Sequence, residues 1–253
     1  MEAMKIVKYC NKVHNPLVSQ TTIQVCSVYH YKAVDNDFIR DPEEGEMSRS
    51  YNPATPTFYS GDDIGAMTGF SIAGNGGIRF EGRAVRTTNP ILNAYVFCTS
   101  CEDNPTAKRA MSLGYDSFYP IGDPELFSQR LGHEIKQQVP DASGVRILHK
   151  RVGYLENKEV ELNNLPIFVQ SHRRIDLNLY FLKRNTSRDN PSKVYAEDKE
   201  YRFVFLPIDG KGQPVPLSEE KLHLDSNGIK PIIETSIFST KSISGSGSRF
   251  IKR

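Results

Sequence analysis

The run Glu197-Asp198-Lys199-Glu200-Tyr201-Arg202 leads directly into an apolar segment, residues 203–206. In an extended strand, residues two apart share a face, so Asp198, Glu200 and Arg202 are expected to project together. Two carboxylates side by side repel, and burial then raises the proton affinity of at least one. A carboxylate so placed can also accept a hydrogen bond from a sugar hydroxyl and stabilise an oxocarbenium-like centre. The same spacing also describes a solvated charged turn ahead of a strand.

A second candidate is Phe97-Cys98-Thr99-Ser100-Cys101, where an apolar strand ends in two hydroxyl residues. Such hydroxyls orient a catalytic carboxylate or cap the next segment. A third is Ile39-Arg40-Asp41-Pro42-Glu43-Glu44-Gly45, an Asx-Pro turn in an acidic stretch that reads as a substrate or lid loop, or as a plain solvated turn. Gly74-Asn75-Gly76-Gly77 lacks the Walker lysine-serine ending and the Rossmann spacing, so a hairpin turn is the expectation there. Arg146, Lys150, Arg151, His172, Arg173, Arg174, Lys183, Arg184 and Arg188 could gather into a phosphate-binding surface, or lie scattered on the outside. Asp41, Glu43, Asp198 and Glu200 offer oxygen ligands to a hard divalent cation. The six histidines show no metal-site pairing, and Cys98-x-x-Cys101 has no second pair to complete a zinc set. Neither a metal nor a disulfide is therefore expected. The cysteines lie mostly in apolar runs, where a thiol acts as a small buried hydrophobe, and a reducing cytoplasmic setting is the expectation.

The elements that must position these groups are mostly strands. Aromatic and β-branched residues recur in short runs between turn residues. Strands are expected at residues 5–9, 21–31, 78–85, 94–98, 151–155, 160–162, 177–183, 201–206 and 231–238. Residues 35–56, rich in Asp, Asn, Pro and Gly, are expected to form a long exposed loop. Asn104-Pro105 can start a short helix that Gly114 stops. Asp123-Pro124 starts a better one, with Leu126, Phe127, Leu131 and Ile135 at helical spacing. Residues 242–248, rich in Ser and Gly, read as a flexible tail.

A chain of 253 residues with 38% hydrophobic and 25% charged residues can bury a real core, and its net charge of +2 neither demands nor excludes nucleic acid. The apolar stretches are too short to span a bilayer, and residues 1–12 carry no apolar signal core. The expectation is a strand-dominated α+β domain over residues 1–240, with residues 241–253 as a basic tail and no membrane partner.

The order Asp-Pro-x-Glu at Asp41, then Cys98-x-Ser100, then Asp198-x-Glu200-Tyr201-Arg202 resembles a widespread group of bacterial proteins of undetermined activity. That group carries Asp-Pro-x-Glu, Cys-x-Ser and Glu-x-Glu-Tyr-Arg motifs, and the likeness extends over roughly residues 5–206. The arrangement also looks, more distantly, like the ADP-ribosyltransferase superfamily, a split-sheet α+β fold around an NAD cleft. Thr99-Ser100 matches the tail of its middle motif, and Asp198-x-Glu200 resembles the late one, with Asp in place of the first acid. Lys8-Tyr9 stands where the superfamily has an early-strand Arg or His, with His30 as the alternative. The resemblance implies NAD as substrate and Glu200, Asp198 and Ser100 as catalytic residues. It further implies that Lys8, Tyr9, Thr99 and Tyr115 contact NAD, and that Asp41 and Glu43 belong to a substrate loop. It also implies a bacterial toxin or antiviral effector that modifies a macromolecule, nucleic acid or protein, with a neutralising or regulatory protein partner. The residues alone also admit a metal-dependent nuclease or nucleic-acid-binding defence protein, and a non-catalytic sensor or interaction module.

Overall fold

Residues 95–101, Tyr-Val-Phe-Cys-Thr-Ser-Cys, combine aromatic, β-branched and thiol side chains that suit a strand buried on both faces, and they form the central strand of the fold. A computed structural model describes residues 5–18, 22–34, 41, 44–68, 76–81, 85–101, 110–111, 113–156, 158–173, 176–187 and 194–233. The fold is mixed α+β, dominated by strands, with a few short helices. The chain divides into two compact units. One comprises Met1–Pro42, Asn93–Tyr154 and Asn185–Arg253, the other Glu43–Leu92 and Leu155–Arg184.

Numbered along the chain, the first unit holds β1 (Ile6–Cys10), β2 (Thr22–Ser27), β7 (Tyr95–Cys101), β8 (Ser117–Ile121), β9 (Gly144–Arg151), β13 (Glu200–Ile208) and β14 (Lys221–Asp225). They make one seven-stranded antiparallel sheet in which β7 is the branch point. On one side β7 pairs with β13, which pairs in turn with β9. Its other side is shared between two strands. Cys26 and Ser27 of β2 face Val96 and Tyr95, whereas Ile6 and Val7 of β1 face Cys101 and Ser100. Phe97, Cys98 and Thr99 therefore stand at a fork in the sheet. Lys8 reaches into this fork, its Nζ donating to the Cys98 carbonyl at 2.8 Å.

One face of the sheet carries the core. Tyr95, Phe97, Tyr201, Phe203 and Phe205 pack against Phe127, Leu131 and Ile135 of a helix, α3 (Pro124–Gln138). Two shorter helices precede it, α1 (Val28–Ala33) and α2 (Gly61–Thr68), the latter in the second unit. The start of α3 is set as expected: the Asp123 side chain accepts from the Leu126 amide at 2.9 Å, and Pro124 takes the first turn, where its missing N–H costs nothing. Gly132 allows the helix to sit close, since a Cβ there would lie 2.6 Å from Cδ1 of Ile147.

The second unit contains β3 (Glu46–Tyr51), β4 (Thr57–Ser60), β5 (Gly77–Phe80), β6 (Val85–Pro90), β11 (Glu159–Leu162) and α4 (Leu165–Arg173). Strand β3 is central, antiparallel to β6 and parallel to β11. Tyr51, Ile64, Phe80, Leu165 and Phe168 form its core. Two further short strands, β10 (Gly153–Leu155) and β12 (Leu182–Arg184), complete the set. No helix among the described residues is long and apolar enough to cross a membrane.

Several elements differ from the sequence-based expectation. The expected loop at 35–56 contains β3, and its polar residues Asp41, Glu44, Arg49 and Ser50 are buried rather than exposed. The expected strand at 21–31 ends at Ser27, whose hydroxyl accepts from the His30 amide and starts α1. Residues Leu177–Phe181 form a 3-10 turn started by Asp176, and residues 230–233 are helical rather than extended. Strand β5 pairs with β4, with α2 between them in sequence, so the partner of β5 is not reached through a tight hairpin. The flexible tail and the Asn104-Pro105 helix start lie outside the described residues.

Candidate functional site

Strand β13 begins at Glu200 because Lys199 adopts a left-handed conformation, φ 43° and ψ 47°, which ends the 3-10 turn Tyr195–Asp198. That kink breaks the strand alternation. Asp198 is therefore not on the strand face of Glu200, contrary to the expectation from spacing, whereas Arg202 is. The start of β13 is pinned by backbone bonds. The Glu200 amide donates to the Tyr154 hydroxyl at 2.9 Å, its carbonyl accepts from Val152 at 3.0 Å, and the Lys199 carbonyl accepts from Cys101 at 2.8 Å.

On the sheet face opposite the aromatic core, Glu200 lies directly across from Ser100, and Arg202 from Cys98. Arg202 folds back so that its Nε and Nη2 both lie 2.7 Å from Oε1 of Glu200. Both side chains are buried, at 1% and 7% exposure. A charged turn in solvent is thus excluded for Glu200. A guanidinium at this distance in a low-dielectric setting is a strong, charge-assisted partner.

Cys98 hydrogen-bonds to the Glu200 side chain, and its thiol is pushed up to about 12, first by burial and then by the Glu200 charge; Arg202 and Lys8 oppose this. Tyr31, on α1, hydrogen-bonds to Cys98, and its phenol is raised well above the ordinary range by burial and then by Cys98, Cys26 and Glu200. A polar chain therefore runs from Tyr31 through Cys98 to Glu200 and Arg202. Cys98 is a neutral hydrogen-bonding thiol here, not a nucleophile. Cys98 and Cys101, three apart on one strand, point to opposite faces, so they neither bridge nor share a metal.

The structure brings together Glu200, Ser100 and Tyr9, whereas Lys8 alternates to the side of the aromatic core, its Nζ 4.9 Å from the centroid of the Phe97 ring. Tyr9 shares the face of Ser100 through the β1–β7 register and packs beside Phe118, ring centroids 6.2 Å apart. Tyr115 and Asp198 belong to the same region. The Tyr115 phenol is raised by burial, then by the charge of Asp198 and by Cys10 and Cys98. Asp41 is buried and donates its amide to the Tyr31 carbonyl at 3.1 Å, which ties it to α1 rather than to an exposed loop. Glu43 lies outside the described residues. Thr99 does not join the site: it alternates to the core side, and its hydroxyl donates to the Tyr201 carbonyl at 2.7 Å. His30 lies with its Nδ1 3.5 Å from Glu220. Among the described residues, no group of three or more His, Cys, Asp or Glu is placed to hold a metal ion.

Three participants escape the sequence-based list of site residues. Tyr31 is hidden by reading α1 as strand, Cys98 by its apolar neighbours, and Tyr154 by its distance along the chain. Arg202 had a usable signal, its i, i+2 spacing from Glu200.

Comparison with family models, with curated proteins and with solved structures finds no match.

Proposed function

We propose that the Glu200 face is an NAD-cleaving site and that the chain is an ADP-ribosyltransferase of a toxin or antiviral effector acting on a macromolecule. The observation that carries this reading is the position of Glu200: a buried carboxylate opposite Ser100, beside the fork between β1 and β2, with Arg202 bound to one of its oxygens. An arginine partner favours the ionised carboxylate, the form that stabilises a developing cation. In the proposed reaction the ribose C1–nicotinamide bond breaks, and its electron pair leaves with nicotinamide as the neutral base. Positive charge on the ribose is met by Glu200. An acceptor oxygen or nitrogen then bonds C1 and gives its proton to Asp198. Tyr9 offers an aromatic face to the cationic nicotinamide ring of NAD. The Cys98 thiol, hydrogen-bonded to Glu200, holds the carboxylate in place, and Ser100 lies directly across from it.

Thermal unfolding of the full chain tests this. NAD raises the melting temperature if the site is formed, whereas magnesium or manganese does so for a metal-dependent nuclease. A shift with the metals and none with NAD rejects the transferase.

A further inference from the structure

Among the described residues of the second unit the buried charged side chains are Glu44, Arg49, Lys158 and Lys183, and Oε1 of Glu159 is buried as well. Glu44 faces Lys183 at 3.9 Å. Arg49 sits on the central strand β3 at 8% exposure, and its Nη1 is buried with no hydrogen-bond partner among the described residues. A buried guanidinium without its acceptors is costly, because water is removed and nothing replaces it.

The surroundings of Arg49 suit a ligand. By alternation it shares a face with Tyr51, whose hydroxyl lies 3.4 Å from that of Tyr59. Its neighbour across the parallel register is Val160 of β11, which is 39% exposed. Lys158 precedes β11, and its carbonyl accepts from Ser48 at 2.9 Å. Extending the alternation of β11 by one residue puts this second buried cation on the face of Arg49. The guanidinium fork of Arg49 matches phosphate oxygens two at a time.

We infer that Arg49 anchors a binding site in the second unit for a phosphate group, carried by a nucleotide or free in solution. The inference is independent of the Glu200 site.

The experiment is thermal unfolding of the full chain in chloride, titrated at constant ionic strength with inorganic phosphate, AMP or acetate. Phosphate or AMP is expected to raise the melting temperature of the wild type by roughly 5–10 °C at a hundredfold excess over Kd, and acetate to leave it unchanged. A larger shift with AMP assigns the phosphate to a nucleotide, and an equal shift to the free ion; both support the site. Arg49→Met is expected to melt no lower than wild type in chloride and to ignore phosphate. Arg49→Lys keeps the charge without the fork and should respond weakly. The inference is overturned if neither phosphate nor AMP shifts the wild type, if acetate alone does, or if Arg49→Met responds as fully as the wild type.

Discussion

Replacing Glu200 with Gln removes a charge that Arg202 needs. The guanidinium is 1% exposed and has both Nε and Nη2 at 2.7 Å from Oε1 of Glu200. Breaking a buried pair by removing one partner costs about 3–5 kcal/mol, against about 0–1 kcal/mol for an exposed one. For a chain of 253 residues this corresponds to a fall in melting temperature of roughly 6–20 °C. Arg202→Met should cost a similar amount, because Glu200 is then the stranded charge. The double variant Glu200→Gln, Arg202→Met leaves no buried charge at this position. It is expected to recover most of the loss, as apolar replacements of whole buried pairs often do. The assay is urea unfolding followed by circular dichroism, since the chain has no Trp. Strictly additive effects of the two substitutions would refute the pairing argument. The double variant has a second use: being folded, it separates loss of the carboxylate from loss of structure when activity is measured.

Two further outcomes follow from the same geometry. The Cys98 thiol, raised from 9.0 to about 12, holds about a thousandfold less thiolate at pH 8 than an ordinary cysteine, so mass-spectrometric alkylation should leave it unmodified until the chain unfolds; rapid labelling in the native state would contradict its environment. Glu125 is held below its usual 4.5 by hydrogen bonds from His149 and Gln129, so what it adds to stability is present above pH about 4.5 and is lost as pH falls through its lowered folded value. Glu125→Gln should flatten stability against pH over that acid range and nowhere else, and an unchanged acid profile would count against the contact.

Parts of this architecture are legible from residue order because one physical signal dominates them. Helix α3 announces itself through Asp123-Pro124 and a 3.6-residue apolar period, and β7 and β13 through continuous apolar runs. Other parts are obscured where two signals compete. Strand β3, Glu-Met-Ser-Arg-Ser-Tyr, looks like loop because its buried positions include Arg49 and Ser50, whose burial depends on tertiary context. Helix α1 is built largely from Val and Tyr, which favour strands, and only the Ser27 cap signals its start. The pairing of Glu200 with Arg202 follows from strand alternation, but the separation of Asp198 from them depends on one left-handed residue, Lys199, which no spacing rule marks. The link from Tyr31 to Cys98 joins residues far apart in the chain and becomes visible only once β2 and β7 are paired.

The most direct test of the transferase proposal is release of nicotinamide from NAD by the purified chain, measured with and without a mixed nucleic-acid and protein acceptor pool. Wild type is expected to release nicotinamide, and the folded double variant Glu200→Gln, Arg202→Met to do so roughly a hundredfold more slowly or less. Release that is undetectable in the wild type, or equal in the two proteins at matched folded concentration, would contradict a catalytic Glu200 and leave it as the structural counter-ion of Arg202.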